Sequence, residues 1–343
     1  MKAYILDGVV SNIEKLSEHL YIHELEKPEC GDEEILIKVE ACGICHTDLD
    51  EIEGRLIPTK LPIVLGHQIV GRVAEKGKSV DRFNIGDRVG VGWINKACGV
   101  CYFCKNKLEN LCDNFVSTGK DVDGGYAEYT KVHKDYALLM PEGFDSYLAA
   151  PLLCAGGVGF RSLRLTNIRD GQKLALTGFG ASGHLVLQTA KFLYPNLEVF
   201  VFARNKKQRE HAMQLGADGA FDYNEPFNNK VNAVIDTTPV WRPIIHALGI
   251  LEKSGRLVIN AIRKEDSDKE LLKNLDYNLH LWQEKEIKSV ANVTKSDIEE
   301  FLRIAALIPI NPTVEIYDFK DLVKALKELR KGIIRGSKVL KIN

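Results

Sequence analysis

Four cysteines fall within fifteen residues, Cys98, Cys101, Cys104 and Cys112, with the spacing C-x2-C-x2-C-x7-C. Thiolates this close in sequence can converge on one tetrahedral ion, and zinc with four sulfur ligands is the usual occupant of such a closed site. Its binding stabilises the local fold rather than performing a reaction. A second set of metal-ligand types is more open. Cys45 and His67 lie upstream and Cys154 downstream, and three protein ligands leave the fourth position of a tetrahedral zinc for water or substrate. Any one of the three alone reads as an inert core residue. One closed set and one open set in a single chain point to a metalloenzyme.

The remaining composition supports this. Of eight cysteines, Cys30 and Cys42 stand outside the two sets. A disulfide framework is not expected in a chain of 343 residues whose first acid, Asp7, comes too early for a secretory signal core. The net charge of −1 gives no electrostatic reason to bind nucleic acid or an anionic membrane. No apolar run approaches the roughly 18–20 residues of a membrane span. These features predict a cytoplasmic enzyme acting on a small molecule, and at this length two domains are the default.

Gly178-Phe179-Gly180-Ala181-Ser182-Gly183 fits the pattern G-x-G-x-x-G. Alone the pattern is weak. Here it follows an apolar strand-like run and opens a helix-like one, the context in which glycines let the backbone approach a pyrophosphate at a helix N-terminus. If the cofactor were NAD, the next strand should end in an acid that accepts from the ribose 2′-hydroxyl. It ends instead in Ala203-Arg204-Asn205-Lys206-Lys207, with no acid. A small residue followed by Arg suits a 2′-phosphate, which the planar guanidinium can grip. NADP(H) is therefore favoured over NAD(H); the plainer alternative makes Arg204 and the lysines the solvated start of a helix.

Elements must hold these residues in place. Residues 34–41 alternate as a half-buried strand does, and Gly and Pro punctuate the following stretch in the manner of a barrel-like β domain. From about residue 147 the rhythm changes. Residues 146–165 have helical spacing; strands are expected at 173–177, 198–203, 233–236 and 256–261, and helices at 181–193, 206–215 and 241–251. Strands alternating with helices indicate a parallel sheet covered on both faces. Near residue 294 the chain returns to the first domain. Ser296-x-x-Glu299 reads as a capping box, Asp318 as the cap of a helix ending near residue 331, and 338–342 as a closing strand. The division expected is 1–154 with 294–343, and 155–293.

Taken in order, Gly43-Ile44-Cys45-His46-Thr47-Asp48, Gly66-His67-Gln68 with Gly71, Gly77 and Val80, the four-cysteine run, Leu153-Cys154-Ala155-Gly156 and the glycine fingerprint carry a family resemblance. The chain resembles the zinc-dependent medium-chain alcohol dehydrogenases from end to end, with features of the cinnamyl- and propanol-preferring branch. The resemblance implies an α/β fold, a GroES-like β-barrel catalytic domain joined to a Rossmann domain with a doubly wound parallel sheet. It implies that Cys45, His67 and Cys154 hold a catalytic zinc and that Cys98, Cys101, Cys104 and Cys112 hold a structural one. Thr47 would relay the alcohol proton and Asp48 would orient His67. His46 and Arg335 would contact the cofactor pyrophosphate, and Trp93 would wall the substrate pocket, unless it is a plain core tryptophan. Ile52 and Leu56, moderate in size, would widen that pocket for medium-chain or aromatic alcohols.

Two departures stand out. Gln68 occupies the place where the family usually has Glu, which removes a negative charge near the metal. Asp50 stands where some relatives have the histidine that ends the proton relay, so either Asp50 takes the proton or it passes to water. The implied activity is hydride transfer between NADP(H) and a primary alcohol or aldehyde, in a homodimer or homotetramer. A polyol or secondary-alcohol dehydrogenase of the same family is the alternative. A non-catalytic zinc protein and a zinc-free reductase fit less well, since the first needs no open ligand set and the second no Cys45, His67 and Cys154 together. If the closed set is structural, Cys101→Ser lowers the melting temperature; an unchanged melting temperature contradicts it.

Overall fold

The computed structural model describes residues 1–308 and 310–342. They divide into two compact units, the first formed by residues 1–154, 294–306 and the chain from 311 onward, the second by 155–293 with 307–310.

The first unit is organised by strand Glu34–Ile44. It pairs antiparallel with Gln68–Lys76, Tyr129–His133 and Ser337–Lys341. Arg88–Val91 and Ala137–Leu139 extend the sheet on one side, and Val314–Asp318 on the other. Ile35, Leu36, Ile37 and Val39 have no exposed surface. With Leu6, Leu16, Leu49, Phe83, Tyr126 and Leu326 they belong to the buried apolar residues of this unit. The register matters most at one end. Gly43 lies opposite Gln68, so the residues just beyond them, Cys45 after one strand and His67 before the other, emerge at the same edge. Gly66 has φ +97°, and a Cβ there would stand 2.8 Å from the Tyr126 ring and 2.9 Å from Cys42 Sγ. Only glycine turns the chain into His67 at that point.

The second unit holds a six-stranded sheet in the order Gly219–Phe221, Glu198–Phe202, Lys173–Thr177, Val231–Asp236, Leu251–Ile259 and Glu286–Ser289. Every neighbouring pair is parallel. Numbered along the chain the order is 3-2-1-4-5-6, the doubly wound Rossmann arrangement. Lys173–Thr177 is central, so the glycine turn that follows it opens at the carboxyl edge beside the crossover point where ligands bind. Among the described residues no helix is long and apolar enough to cross a membrane.

Some local expectations are corrected. Residues 146–165 do not form one helix: Ser146–Ala149 gives way to a 3-10 turn, Ala150–Leu153, and helix Ala155–Leu165 begins afresh. Pro151 cannot supply an N–H to continued α-helix, and Cys154 sits at the break with φ −128° and ψ −74°. The helix Lys295–Leu307 starts before Ser296. Its cap is Thr294, whose Oγ1 accepts from the Asp297 N–H at 3.1 Å while Asp297 Oδ2 faces the Thr294 N–H at 3.3 Å. The same reciprocal bond thus lies two residues earlier than Ser296 and Glu299. Asp318, the last residue of its strand, does cap the next helical segment, which opens as a 3-10 turn, Phe319–Asp321, before the α-helix Leu322–Arg330.

Asp236 and Lys264 form a buried ion pair, with side chains 0% and 7% exposed. Asp236 Oδ1 also accepts from Thr177 Oγ1 at 2.5 Å and Thr238 Oγ1 at 2.8 Å. Lys264 Nζ donates to the Thr238 and Val240 carbonyls at 2.7 and 3.1 Å. Removing one partner strands a buried charge. Lys264→Met is expected to cost about 3–5 kcal/mol, read as a lowered denaturant midpoint, and Asp236→Leu added to it should restore part of the loss.

Candidate active site and metal centres

Cys45, His67 and Cys154 converge: their ligand atoms all lie within 4.8 Å of one another. Cys45 follows strand Glu34–Ile44 and caps helix His46–Ile52. His67 precedes strand Gln68–Lys76, and Cys154 ends the 3-10 turn. His67 is 1% exposed, and its Nδ1 faces Asp48 Oδ1 at 3.4 Å. Neither ring nitrogen has a hydrogen-bond partner, which leaves Nε2 free to bind a metal. Asp48 has no exposed surface. Its Oδ2 accepts from the Cys45 N–H and from the Tyr126 O–H, both at 2.7 Å. The carboxylate therefore ties the Cys45 backbone and the His67 ring into one unit.

The three groups perturb one another strongly. The adjacent Cys154 thiol, then the His67 ring, holds the Cys45 thiol well below its ordinary range. Burial alone would lower His67, but Asp48 and Cys45 hold it well above the usual histidine value. The Cys45 contact, then burial, pushes Cys154 up. Zn2+ binds thiolates and a neutral imidazole, so its binding at this cluster would release protons. With three protein ligands, such an ion keeps one position for water or an oxygen of the substrate.

The second cluster is closed. Cys98, Cys101, Cys104 and Cys112 offer sulfurs within 4.8 Å of one another, and all four are free thiols. Cys98 and Cys104 Sγ are 3.8 Å apart, which matches the edge of about 3.8 Å for a tetrahedron with metal–sulfur bonds of roughly 2.3 Å. The Cys101 and Cys104 N–H groups donate to the Cys98 and Cys101 sulfurs at 3.4 Å. Backbone N–H groups of Val100 and Cys101 bring Cys98 down to about 6. Donors aimed at sulfur favour thiolate, the form a metal needs. Trp93 is 4% exposed, packs with Cys112 and Leu56, and meets His67 edge to face at 5.1 Å. It thus spans the two clusters.

The glycine fingerprint has three distinct jobs. Gly178 has φ +84°, and a Cβ there would stand 2.7 Å from Thr237 Oγ1. A Cβ on Gly183 would stand 2.8 Å from the Gly178 carbonyl. Gly180, which caps helix Ala181–Leu193, faces open space. The outer glycines permit the turn and the close strand–helix approach, and the middle one leaves room for a phosphate at the helix N-terminus. Phe179 is buried and meets His211 at 5.8 Å, so this position contributes backbone. Ser182 Oγ donates to the Ala155 carbonyl at 2.8 Å, which fixes the first turn.

Ala203 is buried and Arg204 and Asn205 are exposed. Asn205 Oδ1 accepts from the Lys207 N–H at 2.9 Å and caps helix Lys206–Gln214. His46 and Arg335 are both exposed. Thr47 is 8% exposed, with Oγ1 3.7 Å from Cys45 Sγ. Asp50 pairs with Arg55 Nε at 2.6 Å. Leu56 is half-buried. Ile52 has no exposed surface and packs in the barrel core, which corrects the expectation that it lines a pocket: it presents nothing to a ligand. Sequence reasoning missed Tyr126, whose hydroxyl reaches Asp48 across 78 residues of chain, and Glu51, buried on the helix of Thr47 and Asp48. If Asp48 positions His67 for a metal, Asp48→Asn lowers the zinc affinity of the three-ligand site by roughly 10–100-fold in chelator competition, with the four-cysteine site unaffected.

Comparison with known proteins identifies the family. Residues 31–142 match the alcohol dehydrogenase GroES-like domain and residues 181–306 the zinc-binding dehydrogenase family. The chain is 39% identical over 320 residues to the probable alcohol dehydrogenase AdhA of Mycobacterium tuberculosis, covering 92% of this chain and 90% of that protein. Among solved structures it is similar to a cinnamyl alcohol dehydrogenase of Sorghum bicolor, with TM-score 0.85, 25% identity and coverage of 99% and 97%. It is also similar to the acetophenone reductase of Geotrichum candidum in complex with NAD, with TM-score 0.83, 25% identity and coverage of 99% and 96%. The chain belongs to the zinc-dependent medium-chain alcohol dehydrogenases, enzymes that pair zinc with a nicotinamide cofactor.

Proposed function

We propose that this dehydrogenase interconverts primary aliphatic or aromatic alcohols and their aldehydes with a preference for NADP(H), as a cytoplasmic enzyme with one catalytic and one structural zinc per chain. The observation that carries the reading is the open set of Cys45, His67 and Cys154, braced from behind by Asp48. When bound, zinc supplies a Lewis acid for the substrate oxygen and the nicotinamide supplies or takes the hydride. The protein's part is to hold oxygen and proton. Thr47, next to the ligands on helix His46–Ile52, offers a hydroxyl to the substrate O–H. Asp50 is already engaged by Arg55, so taking up a proton would work against that ion pair; this supports the branch in which the proton leaves to water.

Three features support NADP(H). No carboxylate follows strand Glu198–Phe202, where Ala203 and Arg204 stand. Arg209 Nη1 donates to the Ala203 and Arg204 carbonyls at 2.7 and 2.9 Å and so shapes that turn. The acid of the adjoining segment, Asp222, faces Arg209 at 3.4 Å and is not free to accept from a ribose hydroxyl. A homo-oligomer is supported by the outermost strand of the parallel sheet, Glu286–Ser289, exposed along its whole length. An uncovered edge of this kind is a template for pairing with a second chain.

The test compares initial rates with NADPH and NADH, using one aromatic and one aliphatic aldehyde. NADPH is expected to be preferred, and Arg204→Ala is expected to raise the KM for NADPH by about tenfold while leaving that for NADH near its starting value, the mark of a lost charge-assisted bond to the 2′-phosphate. An NADH preference in the unaltered enzyme overturns the cofactor assignment and leaves the class intact. Faster turnover of polyols or ketones than of aldehydes favours the secondary-alcohol alternative.

A further inference from the structure

Glu51 is anomalous among the described side chains. It has no exposed surface, and neither of its carboxyl oxygens has a hydrogen-bond partner. Buried polar groups are almost always paired, because leaving one unpaired forfeits its hydration with nothing in exchange. Glu51 stands three residues after Asp48 and four after Thr47 on helix His46–Ile52. Those spacings place it on their face, and helical side chains lean toward the N-terminus, so Glu51 lies back over the turn that carries both. Asp48 has a matching deficit: Oδ2 accepts two hydrogen bonds, while Oδ1 has none and only faces His67 at 3.4 Å.

We infer that Glu51 is a positioning residue of the metal centre, donating its carboxyl O–H to Asp48 Oδ1 and thereby completing the carboxylate that holds His67. The inference rests on reading Cys45, His67 and Cys154 as a metal site. The charged and titratable groups that act most strongly on Glu51 are Asp48, His67, Cys45 and Lys120. Lys120 is itself paired with Asp121 at 2.6 Å. Burial, then Asp48, holds the Glu51 carboxyl well above the usual carboxylate range, consistent with a neutral donor. One hydrogen bond then satisfies both deficits. Asp48 is bound by the Cys45 N–H and Tyr126 O–H on one oxygen, and on the other by Glu51, with His67 alongside. A fully bonded Asp48 cannot rotate away from His67, and the imidazole is held in the orientation its metal requires.

The test separates the donor from mere packing. Glu51→Gln keeps an N–H donor, while Glu51→Met and Glu51→Val remove it. For each variant, the affinity of the three-ligand site for Zn2+ is measured by chelator competition, with the four-cysteine site kept filled, alongside the melting temperature. The expected result is wild-type affinity in Glu51→Gln, a loss of about tenfold in the two apolar variants, and no loss of melting temperature in these, since an apolar group replaces a buried polar one. Wild-type zinc affinity in a folded apolar variant overturns the inference. Should the apolar variants not fold, infrared difference spectra of wild type against Glu51→Gln decide it. The carbonyl band of a protonated carboxylic acid must be present at neutral pH in wild type and lost in the variant, and its absence from wild type overturns the inference. Failure of the unaltered protein to bind Zn2+ at Cys45, His67 and Cys154 refutes instead the metal-site reading, and the infrared band still reports on Glu51.

Discussion

The proposed metal centre depends on a single buried carboxylate. Asp48 has no exposed surface, so it must be met by protein donors, and each donor that meets it is thereby fixed. The Cys45 N–H sets the start of helix His46–Ile52 and with it the direction of the Cys45 sulfur. The Tyr126 hydroxyl ties in a loop from elsewhere in the barrel unit. His67 is held by the other oxygen. Three segments far apart in sequence thus share one anchor, and a metal binding to Cys45 and His67 finds them already oriented.

Strand register makes that anchor possible. With Gly43 opposite Gln68, a slip of one residue would turn Cys45 and His67 to opposite faces of the sheet. Apolar residues of strand Glu34–Ile44 packed into the barrel core oppose such a slip. The four-cysteine cluster serves the same end from outside. It carries no open position, but Cys112 packs with Trp93, and Trp93 packs against His67. Trp93 therefore links the four-cysteine cluster to the three-ligand cluster.

The dinucleotide unit solves a different problem with different means. Its binding turn must stay open to a ligand, so it cannot be filled by side chains. Rigidity comes from beneath: Thr177, Asp236, Thr238 and Lys264 form a buried polar network at the strand ends, against which Gly178 packs. Gly180 is left facing empty space. Charge buried below and bare backbone above form the arrangement an anion-binding turn requires.

What the sequence determined by itself was whatever is written in local spacing. The four cysteines, the glycine fingerprint, helix Ala181–Leu193 and strand Lys173–Thr177 were legible because a turn or a period of a few residues suffices to specify them. The α/β class and the alcohol dehydrogenase family were legible because several such local signals occur in one order. Where neighbouring caps compete, local reading slipped: Thr294 with Asp297 closes the box that Ser296 with Glu299 offered equally in sequence. Edge strands such as Glu286–Ser289 escaped because they carry little apolar pattern. Only the tertiary structure decided which polar groups would be buried, and with whom. Nothing local in the chain says that Tyr126 reaches Asp48, that Arg55 occupies Asp50, that Ile52 faces the core, or that Glu51 is enclosed without a partner. Those outcomes follow from long-range packing, which sets the desolvation of each group and so decides whether it is a solvated charge or a working part of the site.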